Sequence, residues 1–200
     1  MLVGVTGGIG TGKSEVCRIF ESFGAPVLYA DSISKELSVS SGEIRKRTKE
    51  LLGSHSYLPD GSLNRPWIAE RLFADPYTQK KIEAILHPTV LHEIQTRAAG
   101  LAEQHIPLVL VEAALIYESK MDKILDSVIV VHADEHLRLA RAQQRDGATS
   151  LQVQKRMKAQ AAQASKLSKA DFVIFNNGTL EELKHRVAFI HTLLMNIQKA

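Results

Sequence analysis

Residues 7–14 read GGIGTGKS and carry the clearest chemistry in the chain. Gly7, Gly12, Lys13 and Ser14 fill the G-x-x-x-x-G-K-[ST] pattern of a phosphate-binding loop. Glycines let the backbone turn sharply enough to aim N–H groups at phosphate oxygens. Lys13 adds a mobile cation for the terminal phosphates. Ser14 offers a hydroxyl oxygen, the ligand type that magnesium prefers. Gly8 and Gly10 are further glycines inside the loop.

That chemistry requires a strand before the loop and a helix after it. Leu2 to Thr6 is a short apolar strand, and the pattern from Lys13 to Ser22 is helical. The helix would point its positive end at the phosphates. Gly24 then suits a helix stop. Further strands are expected at 26–30, 106–111, 127–132 and 171–175, with helices between them. Alternation of this kind implies an α/β fold, with a parallel sheet wrapped on both faces. Runs such as Val128-Ile129-Val130-Val131 lack polar alternation and fit strands buried on both sides.

In an open parallel sheet, ligands bind beyond the carboxyl ends of the strands. Asp31 follows the second strand, Glu112 the third, and Asn176-Asn177 the fifth. Asp31 can orient an alcohol and take its proton during phosphoryl transfer, and can also cap the helix expected from Ser32 to Leu37. Glu112 can hold magnesium through water, orient an acceptor, or simply end a strand; Glu118 is a weaker candidate. Arg138, Arg141 and Arg145 share one helix face by their spacing of three and four. The stretch 138–169 is rich in Lys and Arg, with Asp146 its one acid. It is either a solvated face or a clamp on transferring phosphate, for which the arginine fork is suited. Gly147, Thr149 and Ser150 form a break that would let this segment act as a lid.

Between the second and third strands the periodicity is helical throughout. Ser38 to Gly42 reads as a loop, Pro59-Asp60-Gly61 as a turn, and Pro66 as the first turn of a helix to about Phe73. A helix from Asp75-Pro76 is expected to end at His87-Pro88, and another to run from Thr89 to Gln104. This is too long for a simple crossover and suits an insertion that receives a second substrate. Arg65 is a candidate for an anionic part of that substrate; His87 is a candidate contact or a capping residue. Thr179 and Glu182 form a capping box at the last helix.

The chain has 200 residues, 44% hydrophobic and 24% charged, with a formal net charge of +3. That is ordinary for one soluble α/β domain. The small positive excess suits an anionic ligand and does not call for nucleic acid. The lone Cys17 excludes an internal disulfide and suits a reducing compartment. No apolar run is long enough to span a membrane. Met1 leads straight into a strand, without room for a signal peptide, so the expected location is cytoplasmic. The histidines show no metal-ligand spacing, and Trp67 and Met157 read as packing residues.

Taken as an ordered set, these motifs resemble the dephospho-coenzyme A kinase family over about Leu2 to Ala188. The family's TGGIGSGKS-type opening appears at Thr6–Ser14, and its D-A-D at Tyr29-Ala30-Asp31. Its D-G-x-L-x-R appears at Asp60–Arg65, followed by Phe73 and by Ile85-Leu86-His87-Pro88. Its lid signature appears at Arg141, Gln144-Arg145, Arg156 and Ala159-Gln160, and its A-D-x-V-I-x-N-x-G at Ala170–Gly178.

The resemblance implies a three-layer phosphate-loop kinase fold, like that of the nucleoside monophosphate kinases. The core would be about 1–31, 104–135 and 170–200, the helical acceptor-binding insertion about 32–103, and the helical lid about 136–169. It implies ATP-dependent, magnesium-assisted phosphorylation of the ribose 3′-hydroxyl of dephospho-coenzyme A, the last step of coenzyme A synthesis. Asp31 would be the base or the residue that orients the hydroxyl, and Lys13, Arg141 and Arg145 the phosphate clamps. Gly8, Gly10, Thr11, Gly12, Lys13, Ser14, Glu15 and Asn177 would line the nucleotide, with Ser14 on magnesium. Arg65, His87 and Glu112 would serve the acceptor with Asp31. The chain departs from the family at Glu15, where threonine is usual, at Tyr29, and at Ala114, where proline is usual. The other readings are a kinase for a different small metabolite and a nucleotide-dependent switch. The latter lacks the N-K-x-D segment of guanine-specific switches, since the chain reads Asn176-Asn177-Gly178-Thr179.

Overall fold

The computed structural model describes residues 1–159 and 163–198. Along the chain run β1 (Leu2–Thr6), α1 (Lys13–Ser22), β2 (Val27–Tyr29), α2 (Ala30–Ser40), α3 (Gly42–Leu52), α4 (Arg65–Ala74) and α5 (Pro76–Glu103). There follow β3 (Val109–Glu112), β4 (Ser127–His132), α6 (Glu135–Asp146), α7 (Ser150–Ala159), α8 (Gln163–Leu167), β5 (Phe172–Phe175) and α9 (Leu180–Ile197). The expected lid residue Gln160 lies outside the described residues.

The five strands form one parallel sheet in the order β2-β3-β1-β4-β5. β1 is central, and the chain leaves it toward β2 on one side and later crosses to β4 on the other. This reversal places the loop after β1 at the switch point where such sheets bind ligands. Val3 and Val5 share a core with Val16 and Phe20 of α1, Ile129 and Val131 of β4, Ile174 of β5, and Leu183, Val187 and Leu194 of α9. Each fully buried side chain of this size contributes about 1.5–3 kcal/mol of burial. On the other face of β1, the methyls of Ile116 and Leu125 fill the space beside Gly4. The expected capping box is present: Glu182 N–H donates to Thr179 Oγ1 and Thr179 N–H to Glu182 Oε2, at 3.2 and 3.3 Å.

The chain divides into two compact units, residues 1–29 with 98–200, and residues 30–97. The second has its own core, with Ile33, Ile44, Leu52, Ile85, Val90 and Ile94 buried. Tyr57 donates its hydroxyl to Ser38 O at 2.8 Å, and Trp67 Nε1–H donates to Leu52 O at 2.9 Å.

Three local expectations are corrected. β2 is shorter than 26–30 and half-buried, because it is an edge strand with a single neighbour. The loop expected over Ser38 to Gly42 is helix through Ser40, broken only at Ser41, which caps α3 through Ile44 N–H. Ser38 and Ser40 donate their hydroxyls to Ser34 O and Glu36 O, four residues back, so serines that favour turns are satisfied within the helix. The helix end expected at His87-Pro88 is absent, since α5 continues through Pro88. Proline forfeits one hydrogen bond there. Burial of Ile85, Val90 and Ile94 on both sides of it keeps the helix whole, as tertiary packing supplies most helix stability.

Candidate active site

The loop between β1 and α1 is held by bonds within it, by α6 and by the end of β5. Within it, Lys13 Nζ donates to Gly7 O at 3.0 Å and Gly8 O at 3.4 Å, and Thr11 Oγ1 to Gly8 O at 2.9 Å. From α6, Arg138 Nε donates to Ile9 O at 3.0 Å. From the end of β5, Asn176 Nδ2 donates to Thr11 O at 2.9 Å. Arg141 Nη1 in turn donates to Asn176 O at 2.9 Å. Gly12, the N-cap of α1, has φ 93°, and a Cβ there would run into the Asn176 amide. Gly10 has φ 76°, and a Cβ there would strike the backbone of Arg138. Glycine is thus required at both places by conformation and by close approach. The positive end of α1 falls at this loop, as an anion site requires.

The three arginines of α6 share a helix but have separate partners. Arg138 is buried, and burial pulls its guanidinium below its ordinary pKa. It braces the loop. Arg141 holds Asn176. Arg145 forks onto Asp146 through Nε at 2.7 Å and Nη2 at 3.1 Å, and Arg156 of α7 meets the same carboxylate at 2.9 Å. The Arg145 hydrogen bond, with Arg156 beside it, lowers the Asp146 pKa to about 2. The break between α6 and α7 lies at Gly147, which has φ 62°.

Other candidates have distinct surroundings. Ser14 is exposed on the first turn of α1. Glu15 directs its carboxylate to Arg18, three residues along the same helix, while its N–H donates to Gly12 O at 3.1 Å. An acid in the first turn also complements the helix dipole. Tyr29, at the family's first Asp position, donates its hydroxyl to Glu21 Oε1 at 3.2 Å, and its pKa is pushed up to about 12, chiefly by burial. Glu112 is the last residue of β3, level with Val5 on one side and Tyr29 on the other. Burial, then the Glu112 charge, pushes the Cys17 thiol up. Asn177 Oδ1 accepts from Asp134 N–H at 2.9 Å and so fixes the entry to α6.

Asp31, Arg65 and His87 belong to the second unit. Asp31 is exposed in the first turn of α2, one residue past the helix start, so it is not the N-cap. Arg65 opens α4 behind its cap Asn64, whose Oδ1 accepts from Trp67 N–H at 3.4 Å. His87 is half-buried in the middle of α5.

A family model for dephospho-CoA kinase (CoaE) matches residues 1–182. The chain belongs to the dephospho-CoA kinase family. Its relatives include the dephospho-CoA kinase of Chlorobaculum tepidum, 37% identical over 98% of this chain and 96% of the relative. That of Syntrophotalea carbinolica is 34% identical over 98% of this chain and 92% of the relative. Among solved structures, TT1252 from Thermus thermophilus superposes with a TM-score of 0.80 at 29% identity, covering 97% of both chains. Dephospho-CoA kinase from Campylobacter jejuni superposes at 0.74 with 24% identity over 98% of this chain and 97% of that one, a likeness of fold.

Of the pair Asn176-Asn177 that follows the fifth strand, the sequence assigns Asn177 to the nucleotide, whereas in this dephospho-CoA kinase chain it is Asn176 that reaches the loop and Asn177 that meets Asp134. Strand parity carries the signal. Ile174 faces the α1 side of the sheet, so Asn176, two residues on, continues on that side and Asn177 turns away. Lys166 was also missed, and it is buried. Its five-residue helix carries too little periodicity to reveal that.

Proposed function

We propose that the protein catalyses ATP-dependent phosphorylation of the 3′-hydroxyl of dephospho-coenzyme A, giving coenzyme A and ADP. The observation that carries this reading is the phosphate loop braced by Arg138 and Asn176 in a chain that matches the dephospho-CoA kinase family over residues 1–182. The N–H groups of residues 8–15 and the Lys13 ammonium receive the ATP phosphates. Lys13, already bonded to loop carbonyls, exchanges these for phosphoryl oxygens. Arg141 and Arg145 add positive charge on the α6 side, and Asn177 holds the start of that helix. Asp31 orients the acceptor hydroxyl and takes its proton as the phosphoryl group transfers in line. Arg65, His87 and Glu112 contact the acceptor.

Magnesium fits this donor set. The Ser14 hydroxyl and the Glu112 carboxylate are hard oxygen ligands, and no group of three or more metal-binding side chains occurs among the described residues. That suits an ion that keeps waters and phosphate oxygens rather than a protein cage. Bound there through the Ser14 hydroxyl, magnesium would supply positive charge against the negative charge developing on the phosphates. No helix among the described residues is long and apolar enough to cross a membrane. The single reduced Cys17 fits a cytoplasmic setting.

The test is ADP release from ATP with and without dephospho-coenzyme A. Acceptor-dependent ADP and a product phosphorylated on the ribose 3′-oxygen are expected. ADP release indifferent to the acceptor would overturn the reading.

A further inference from the structure

Lys166 lies in α8, 1% exposed, with a charge that the proposed chemistry does not use. A buried ammonium is unfavourable unless it is paired and hydrogen-bonded. Here Nζ donates to Ala114 O at 2.6 Å and lies 3.2 Å from Glu118 Oε1. A second donor converges on the same carbonyl: Thr6 Oγ1 donates to Ala114 O at 3.3 Å. Thr6 is buried and is the last residue of β1, directly before Gly7. Ala113 N–H donates to Val5 O at 3.2 Å, so the chain leaving β3 runs beside β1 past the strand end. Lys169 adds a further tie, its ammonium 5.4 Å from the centre of the Tyr117 ring. The Ala114 carbonyl is therefore where the exit from β3, the end of β1 and α8 are joined.

We propose that Lys166, paired with Glu118, is a positioning residue for ATP. It fixes the Ala114 carbonyl and, through Thr6, the point at which the phosphate loop leaves the sheet. The proposal rests on the loop being the ATP site. It gives Glu118 a role distinct from that of Glu112: Glu118 balances the buried lysine, while Glu112 stands at the strand end. Two groups sharing one acceptor also predict coupling. Removing one donor leaves the carbonyl the other, whereas removing both strips it of the two, so the double loss should exceed the sum of the single ones.

The experiment compares Lys166→Met, Thr6→Val, the double variant and Glu118→Gln. It measures kcat, the KM for each substrate, the Kd for ATP by calorimetry, and Tm. Lys166→Met is expected to raise the KM and Kd for ATP about tenfold while the KM for dephospho-coenzyme A stays within about twofold. Thr6→Val is expected to move the same two quantities in the same direction. The double variant should raise the Kd for ATP by more than the product of the two single effects, and Glu118→Gln should show a smaller rise than Lys166→Met. If Lys166→Met does not fold, Thr6→Val and Glu118→Gln carry the test through ATP affinity. A lowered Tm with unchanged ATP affinity in the folded variants would make Lys166 a structural staple and overturn the proposal. Additive effects of Lys166→Met and Thr6→Val would do so too. Failure of the activity itself reads differently: the unsubstituted protein would then give no acceptor-dependent ADP, while ATP binding would still report on Lys166.

Discussion

Asn176 donates its side-chain amide to the carbonyl of Thr11 at 2.9 Å, so the residue that follows β5 holds the middle of the phosphate loop. Its own carbonyl accepts from Arg141, and its N–H donates to His132 O at 2.7 Å. Asn176→Ala removes the brace and leaves a buried carbonyl unpaired, at a cost of about 1–3 kcal/mol. Its expected signature is a weaker ATP affinity, measured by calorimetry. Asn177→Ala is expected to lower Tm through the entry to α6, with a smaller change in ATP affinity.

Gly12 and Gly147 both have positive φ, but only one has a neighbour in the way. A Cβ at Gly12 meets the Asn176 amide, whereas at Gly147 nothing lies within 4 Å. Gly147→Ala is expected to cost about 1 kcal/mol, from backbone strain alone. Gly12→Ala adds displacement of Asn176 and should abolish ATP binding. Thermal melts with and without ATP distinguish the two: the Gly147 variant keeps its ATP-induced rise in Tm and the Gly12 variant loses it.

Asp31 is exposed in the first turn of α2, where a neutral amide of the same shape is tolerated. Asp31→Asn is expected to leave the ATP Kd within about twofold and to lower kcat by about 10²–10⁴, the range for loss of a general base. Steady-state turnover beside calorimetry checks this, and near-normal turnover would remove Asp31 from the mechanism.

Asp146 sits between Arg145 and Arg156, and its pKa falls from the ordinary 3.8 to about 2. A depressed carboxylate pKa contributes stability that is fully present above the unfolded value and lost as pH falls through the folded one. The tie between α6 and α7 should therefore hold at neutral pH and weaken between about 4 and about 2. The Tm difference between the unsubstituted protein and Asp146→Asn should be constant above pH ~5 and shrink toward zero below pH ~2. High salt should reduce that difference, because the cluster is exposed.

The features legible in the amino-acid order are those whose cause is local. The GGIGTGKS loop declares itself because its glycines, lysine and serine act within one strand–turn–helix. The Thr179–Glu182 capping box does so because its partners are three residues apart. The apolar runs of β1 and β4 show their burial because no polar residue interrupts them. Membership of the kinase family rests on the same ordered motifs. Tertiary structure decided what each charged or amide group is for. Arg138, Arg141 and Arg145 have equivalent spacing on α6, yet one braces Ile9, one holds Asn176 and one pairs with Asp146. Strand parity hinted at Asn176 over Asn177, but the acceptor on Thr11 exists only because the parallel sheet brings the end of β5 to the loop after β1. Pro88 stays within α5, and Lys166 is buried against Glu118, for the same physical reason. Their energies come from contacts across the fold, which outweigh local propensity and leave no trace in neighbouring residues.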